Sequence, residues 1–276
     1  GIEHGEQVED HLNHYRAGII YMDDQIGIII NELEELGLAD NTLVILSADH
    51  NVEPGKSTVY NKGVNVPFLA RMPGKIKPGT KNNDLIQFVD LLPTFVDVAN
   101  GKINDEALLD GKSFKPLLLG ENYQRDHLYL EEGYTRGVTN GKYKYIAMRF
   151  PEEVKEKILS GEQKAITHMG GELHGHAYIA QEYHPGYFDH DQLYNLVNDP
   201  YEQQNLADNP KYVEVLEEMQ QLLQSYASTF DHAFDLSDTI WMKTNAYENA
   251  SETVESRGTG FIPWWNREIN YPPAEH

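Results

Sequence analysis

The run Leu43-Val-Ile-Leu-Ser-Ala-Asp49-His50 constrains this chain most. Apolar residues of strand character stop abruptly at an acid and an imidazole. Lys56 follows six residues later, in a loop that contains Pro54 and Gly55. A buried strand that ends this way delivers polar groups to the carboxyl edge of a sheet, where open α/β folds bind ligands. Upstream, Leu12, Ile19, Met22, Ile26, Ile29, Ile30 and Leu33 recur at three- and four-residue steps. That spacing predicts one amphipathic helix over residues 8–37, with Gly37 as its C-cap. A helix feeding a buried strand over 42–48 reads as half of a βαβ unit.

Farther along, Val66-Pro-Phe-Leu-Ala-Arg71 is a second short strand, with Pro67 at an edge or at its first positions. Asp90 precedes Leu91-Leu92-Pro93, a pattern that starts a helix running to about Asn100. Asp90 could also be a metal ligand by composition, but the N-cap is the favoured reading. After Gly120 the character changes. Residues 127–132, 136–139 and 143–148 are short segments rich in tyrosine and β-branched residues, and Asn140-Gly141 is a strong hairpin signal. Leu193–Leu196 is another strand, and Asn209-Pro210 opens an amphipathic helix to about Ser228.

The expected organisation has three parts: residues 1–122 as α/β domain, 123–230 as a small antiparallel sheet with a covering helix, and 231–276 as an irregular extension. A long insertion at 151–190 carries His168, His174, His176, His184 and His190.

A formal charge of −22 is distributed along the whole chain. Such a surface repels phosphates and argues against nucleic acid as a partner. There is no cysteine, which excludes disulfides, thiolate metal sites and a cysteine nucleophile within the chain. No apolar run approaches the ~20 residues that span a bilayer. The polar start, Gly1-Ile-Glu-His, shows no signal peptide and reads as the interior of a larger protein.

The order of acid, imidazole and lysine suggests a metal held beside an oxyanion. Neighbouring side chains in a strand point to opposite faces. Asp49 and His50 therefore meet one ion only if the backbone turns, and residues 51–55 make that turn plausible. Lys56 would be a compact fixed cation for an anionic ligand. Without further context, a solvated loop acid and a loop histidine account for the same residues.

A series of motifs changes that balance. Tyr21-Met-Asp-Asp-Gln-Ile-Gly27 and Leu36–His50 are followed by Gly55-Lys-Ser-Thr-Val-Tyr60 and Gly63-Val-Asn-Val-Pro67. Met72–Gly79, Val89–Thr94, Gly111–Leu118, Gly141-Lys-Tyr-Lys-Tyr-Ile146 and Leu193–Ala207 complete the order. Together they resemble the type I sulfatase family. The resemblance implies the C-terminal part of an alkaline-phosphatase-like α/β core with an antiparallel subdomain. It implies hydrolysis of sulfate esters, of a sulfated carbohydrate above all, at a calcium-assisted site. On this reading Asp49 and His50 are metal ligands for Ca2+, with Asn51 as the alternative to His50. Lys56 contacts the sulfate and stabilises developing charge. The same resemblance implies a periplasmic or secreted enzyme.

The chain departs from the family in two places. The Cys/Ser-x-Pro-x-Arg motif that yields the formylglycine nucleophile is absent, so the expected partner is the N-terminal part of the same enzyme. The usual Glu-Gly-Gly-x-Arg-Val-Pro reads Asn61-Lys-Gly-Val-Asn-Val-Pro67, and Lys62 either replaces the lost arginine or is a solvated loop charge. Arg136, His174 and His176 are candidate substrate-binding residues. Arg136 would pair with a carboxylate or second sulfate, and the histidines would line a sugar-binding wall. A phosphate or phosphonate ester hydrolase of the same superfamily and a non-catalytic glycan-binding fragment are the competing functions.

Overall fold

The computed structural model describes residues 11–51, 55–104, 109–160, 162, 180, 183–230 and 234–237. These pack as two compact units, one from the described residues of 1–48 and 67–125, the other from those of 49–66 and 126–276.

In the first unit, helix α1 spans His11–Glu35, and Gly37 with φ of 66° ends it in the left-handed region that only glycine adopts freely. Strand β1 (Val44–Ser47) pairs with β2 (Phe68–Arg71), Val44 opposite Arg71 and Ser47 opposite Phe68. The pairing is antiparallel, while the expected helix-to-strand order, α1 feeding β1, is present. A parallel neighbour needs a crossover back along the strand, usually a helix. Here the chain returns after the segment 49–66 through Pro67, whose carbonyl accepts from the Ser47 hydroxyl at 2.8 Å. β1 is also only half-buried, and Ile19, Met22 and Ile29 of the α1 stripe are exposed.

The buried centre of this unit is polar. Asp90 closes a 3-10 turn (Phe88–Asp90) ahead of α3 (Leu91–Val98). Its carboxylate accepts from the backbone N–H of Gln87 and of Lys112, both at 2.8 Å, and pairs with Arg125. Asp90 stands at the expected N-cap position of α3, but its carboxylate turns back to the preceding turn, where it forms a reciprocal box with the N-cap Gln87, and its oxygens are taken by donors rather than aimed at a metal. Thr94 links this turn to Phe114, at the start of α4 (Lys115–Leu118).

The second unit begins with the segment 49–66, which carries the one-turn helix α2 (Asn61–Val64), and continues with a four-stranded antiparallel meander. β3 (Leu128–Glu132), β4 (Thr135–Thr139), β5 (Tyr143–Met148) and β6 (Asp191–Asn195) lie in chain order. The β4–β5 turn is the expected Asn140-Gly141. Gly141 has φ of 83°, and the Asn140 side chain accepts from the N–H groups of Lys142 and Tyr143. Helix α5 (Glu152–Leu159) follows β5, and α6 (Val213–Ala227) covers the sheet. Asn209 caps the 3-10 turn that leads into α6.

Alternation along β5 gives the sheet two buried faces. Tyr145, Ala147 and Leu193 pack with Met219 and Leu223 of α6. Ile146, Met148 and Tyr194 face the other way and pack with Val59 and Tyr60. The sheet therefore has its helix on one side and the Lys56 segment on the other. Register places Lys144 opposite Tyr194 and Ile146 opposite Gln192, so all four residues share the face that meets that segment.

Candidate functional site

Residues 49–51 and 55–64 form a closed strap. The Asn51 N–H donates to the Gly63 carbonyl at 3.2 Å. Gly55 and Gly63 are in backbone contact: a Cβ on Gly63 would stand 2.1 Å from the Gly55 oxygen and 2.6 Å from that of Thr58. Only glycine fits there, because such distances lie far inside van der Waals contact. The Thr58 hydroxyl donates to the Gly55 carbonyl at 2.6 Å and ties the turn that carries Lys56. Ser57 takes the left-handed conformation, φ 61°, which is uncommon for a residue with a side chain.

Asp49 and His50 lie together at one end of this strap. The backbone turns after β1, as their joint use of one ion requires. His50 N–H donates to Asp49 Oδ1 at 2.9 Å, and His50 Nε2 lies 3.3 Å from Asp49 Oδ2. His50 Nδ1 is 3.0 Å from the Asn51 carbonyl, which can only accept, so Nδ1 carries the hydrogen. In the neutral ring Nε2 is then an acceptor, and two acceptors converge on one point. That arrangement fits a cation. Two adjacent ligands at about 2.4 Å from a calcium ion stand about 3.4 Å apart. Asp49 supplies the oxygen that calcium prefers and is largely exposed, whereas His50 supplies nitrogen with its tautomer set by a carbonyl, a common device at metal sites. Among the described residues no third histidine, aspartate or glutamate joins them.

Lys56 is half-buried, and its ammonium has no hydrogen-bond or ion-pair partner among the described residues. Lys62 is not a bare loop charge. Its ammonium lies 4.6 Å from the Tyr183 ring centre and 5.6 Å from that of Tyr201, within cation–π range.

Beneath the strap lies a buried polar cluster that the sequence did not reveal as a group. Lys144 and Glu202 are 1% and 0% exposed. The ammonium sits 2.7 Å from Glu202 Oε1, an ionic contact made off the hydrogen-bonding axis, and donates to the Val59 carbonyl (3.1 Å) and Asn61 Oδ1 (2.6 Å). Glu202 Oε2 accepts from the Asn61 N–H at 2.7 Å. Burial pushes the Lys144 ammonium below its ordinary range, and the Glu202 charge pulls it part of the way back. Tyr60 stacks on His184 with ring centres 3.7 Å apart and donates to Gln192 Oε1 at 2.6 Å. The available signals were a lysine at an inward position of a strand (Lys144) and a glutamate in a loop signature (Glu202). Neither says which partner it meets.

The remaining expected site residues fall elsewhere. Arg136 is engaged by its own hairpin: it donates to the carbonyls of Gly133 (2.7 Å) and Thr135 (2.9 Å), approaches Glu131 at 3.3 Å, and lies over Phe234. His174 and His176 lie outside the described residues. His184 and His190 of the same insertion are buried rather than displayed as a wall.

His184 makes the fold sensitive to acid. Desolvation lowers its pKa from 6.5 to about 4. The folded state therefore resists a proton that the unfolded chain accepts. The associated stability is complete above pH 6.5 and is lost as pH falls towards 4, on the order of 3 kcal/mol in all. Urea midpoints at pH 7 and pH 4.5 are expected to differ by less in His184→Phe, which retains a ring against Tyr60 but cannot titrate. An undiminished difference would assign the acid sensitivity to other groups.

Comparison with known proteins finds sulfatases. The Sulfatase family model matches residues 3–101, and the N-sulphoglucosamine sulphohydrolase C-terminal model matches residues 54–159. An ulvan-active sulfatase of Formosa agariphila is 37% identical over 201 residues, covering 68% of this chain and 38% of its own length. An N-acetylglucosamine-6-O-sulfatase of Bacteroides thetaiotaomicron is 25% identical, covering 85% of this chain and 39% of its own length. A solved Bacteroides thetaiotaomicron sulfatase structure superposes with a TM-score of 0.52 at 26% identity, covering 75% of this chain and 40% of that one. The chain thus spans about two fifths of the length of the curated relatives it matches. The fold is that of the alkaline-phosphatase-like sulfatases, as the sequence led one to expect. Among the described residues no helix is long and apolar enough to cross a membrane.

Proposed function

From the premise that this chain belongs to the sulfatase family and matches the C-terminal part of its members, we propose that it supplies half of an active site that hydrolyses sulfate esters. One observation carries the reading: Asp49, His50 and Lys56 lie on a single closed strap, with two acceptors converging at one end and, on the turn, an ammonium that has no partner among the described residues. In this reading Asp49 and His50 hold a calcium ion, which supplies Lewis-acid assistance when bound. Lys56 places a point charge beside the sulfate oxygens, where negative charge grows as the ester bond breaks. The nucleophile, a formylglycine by family resemblance, comes from the N-terminal part of the same enzyme.

The substrate in this reading is a sulfated carbohydrate. The support is chemical kinship: one relative is named an ulvan-active sulfatase and another an N-acetylglucosamine-6-O-sulfatase. A periplasmic or secreted enzyme belongs to the same reading. The reading is tested by combining this chain with its N-terminal part and measuring sulfate released from sulfated oligosaccharides beside phosphate release from matched phosphate esters. Preference for the phosphate ester would transfer the enzyme to the other ester class. The metal assignment has its own readout. Asp49→Ala is expected to weaken calcium binding by about 10- to 100-fold in calorimetry, since one ligand of few is lost. Unchanged affinity would remove Asp49 from the site.

A further inference from the structure

We propose that the buried Lys144–Glu202 pair positions Lys56, acting through the backbone of the strap rather than on the substrate. The inference rests on the reading of Lys56 as the sulfate-facing cation. The pair grips the strap at three points: the Val59 carbonyl, the Asn61 side-chain oxygen and the Asn61 N–H. Asn61 is the first residue of α2, and Gly63 two residues on lies in backbone contact with Gly55, the neighbour of Lys56. A displacement of Asn61 therefore passes through a contact with no slack to the turn that carries the ammonium.

Two further features show that the pair is held for position. Buried ion pairs are poor sources of net stability, and apolar residues of like volume serve packing as well or better. Glu202 also adopts φ of 57°, a conformation that costs a non-glycine residue free energy and persists only where the surroundings over-determine it. The surroundings do so here. Asp199 Oδ2 accepts from the N–H groups of Gln203 and Gln204, and Asn205 Oδ1 accepts from those of Leu193 and Ala207. The turn after β6 is thus built by its own side chains, and its outcome is to aim one carboxylate at Lys144 and Asn61. Tyr60, stacked on His184 and bonded to Gln192, fixes the middle of the strap to the same sheet face.

The test uses the enzyme that carries this chain, with Glu202→Gln, Lys56→Ala and the double variant. Glu202→Gln is expected to lower kcat by about 10- to 100-fold while KM moves less than about threefold, the signature of a misplaced transition-state contact. Hydrogen exchange at the amides of residues 59–63 is expected to quicken by about tenfold or more. In the Lys56→Ala background, Glu202→Gln is expected to cost less than about twofold, because the group it positions is gone. A full additional loss in that background would overturn the proposal, and so would unchanged exchange in the strap. If Glu202→Gln fails to fold, the Lys144→Met/Glu202→Gln enzyme, which buries no charge, undergoes the same comparisons. A Lys56→Ala enzyme with an unaltered rate would overturn the Lys56 assignment itself. Exchange does not depend on activity, so it separates that failure from a failure of the anchor.

Discussion

Lys144→Ala is expected to destabilise the protein by about 3–5 kcal/mol, because it strands the Glu202 carboxylate in the interior without its counter-ion. Three acceptors lose their cation together: Glu202 Oε1, the Val59 carbonyl and Asn61 Oδ1. None is replaced by water without opening the packing between β5 and the strap. A shift in urea midpoint at unchanged slope is the measurement. Lys142→Ala, two residues earlier and exposed, is expected to stay within about 0.5 kcal/mol and serves as the control. Equal effects of the two would show that the interior of this sheet face admits solvent. Lys144→Met combined with Glu202→Gln should recover most of the loss, since the destabilisation comes from an unpaired charge rather than from missing volume.

The second large effect concerns rate. In the enzyme containing this chain, Lys56→Ala is expected to lower kcat/KM for sulfate release by about 10²- to 10³-fold, the usual consequence of deleting one preorganised charge beside a developing anion. Lys56→Arg is expected to restore little. The guanidinium is planar, longer and spreads its charge, and so does not replace a compact point charge. Far-UV circular dichroism should be unchanged in both variants, since Lys56 makes no hydrogen bond or ion pair among the described residues. Full activity in Lys56→Ala would remove the proposed role.

Local pattern made much of this molecule legible. The alternation and the Asn140-Gly141 turn located β4 and β5 within a residue, because hairpin geometry is set by residues next to each other. The three-four spacing located α1 and α6 for the same reason. Where a neighbour distant in sequence decides, the reading failed or stayed open. The pairing of β1 with β2 stayed open, because it depends on how the chain returns, which apolar runs do not encode. Asp90 looked like a cap for the helix that follows, and Arg125 with the Lys112 N–H drew it into a buried cluster instead. Arg136 looked available to a substrate until its hairpin supplied two carbonyls and a glutamate.

By itself the sequence determined that Asp49, His50 and Lys56 sit on a short turn after a strand, since residues so close along a chain cannot be far apart. It also determined the family, through motifs whose order survives without any knowledge of contacts. Only the tertiary structure decided what holds that turn. Lys144 and Glu202 lie 83 and 141 residues from Asn61, and they meet it because β5 and the turn after β6 present one face of one sheet. Ion pairing is short-ranged and has no signature in local periodicity, so the strap could be read from the sequence and its anchor could not.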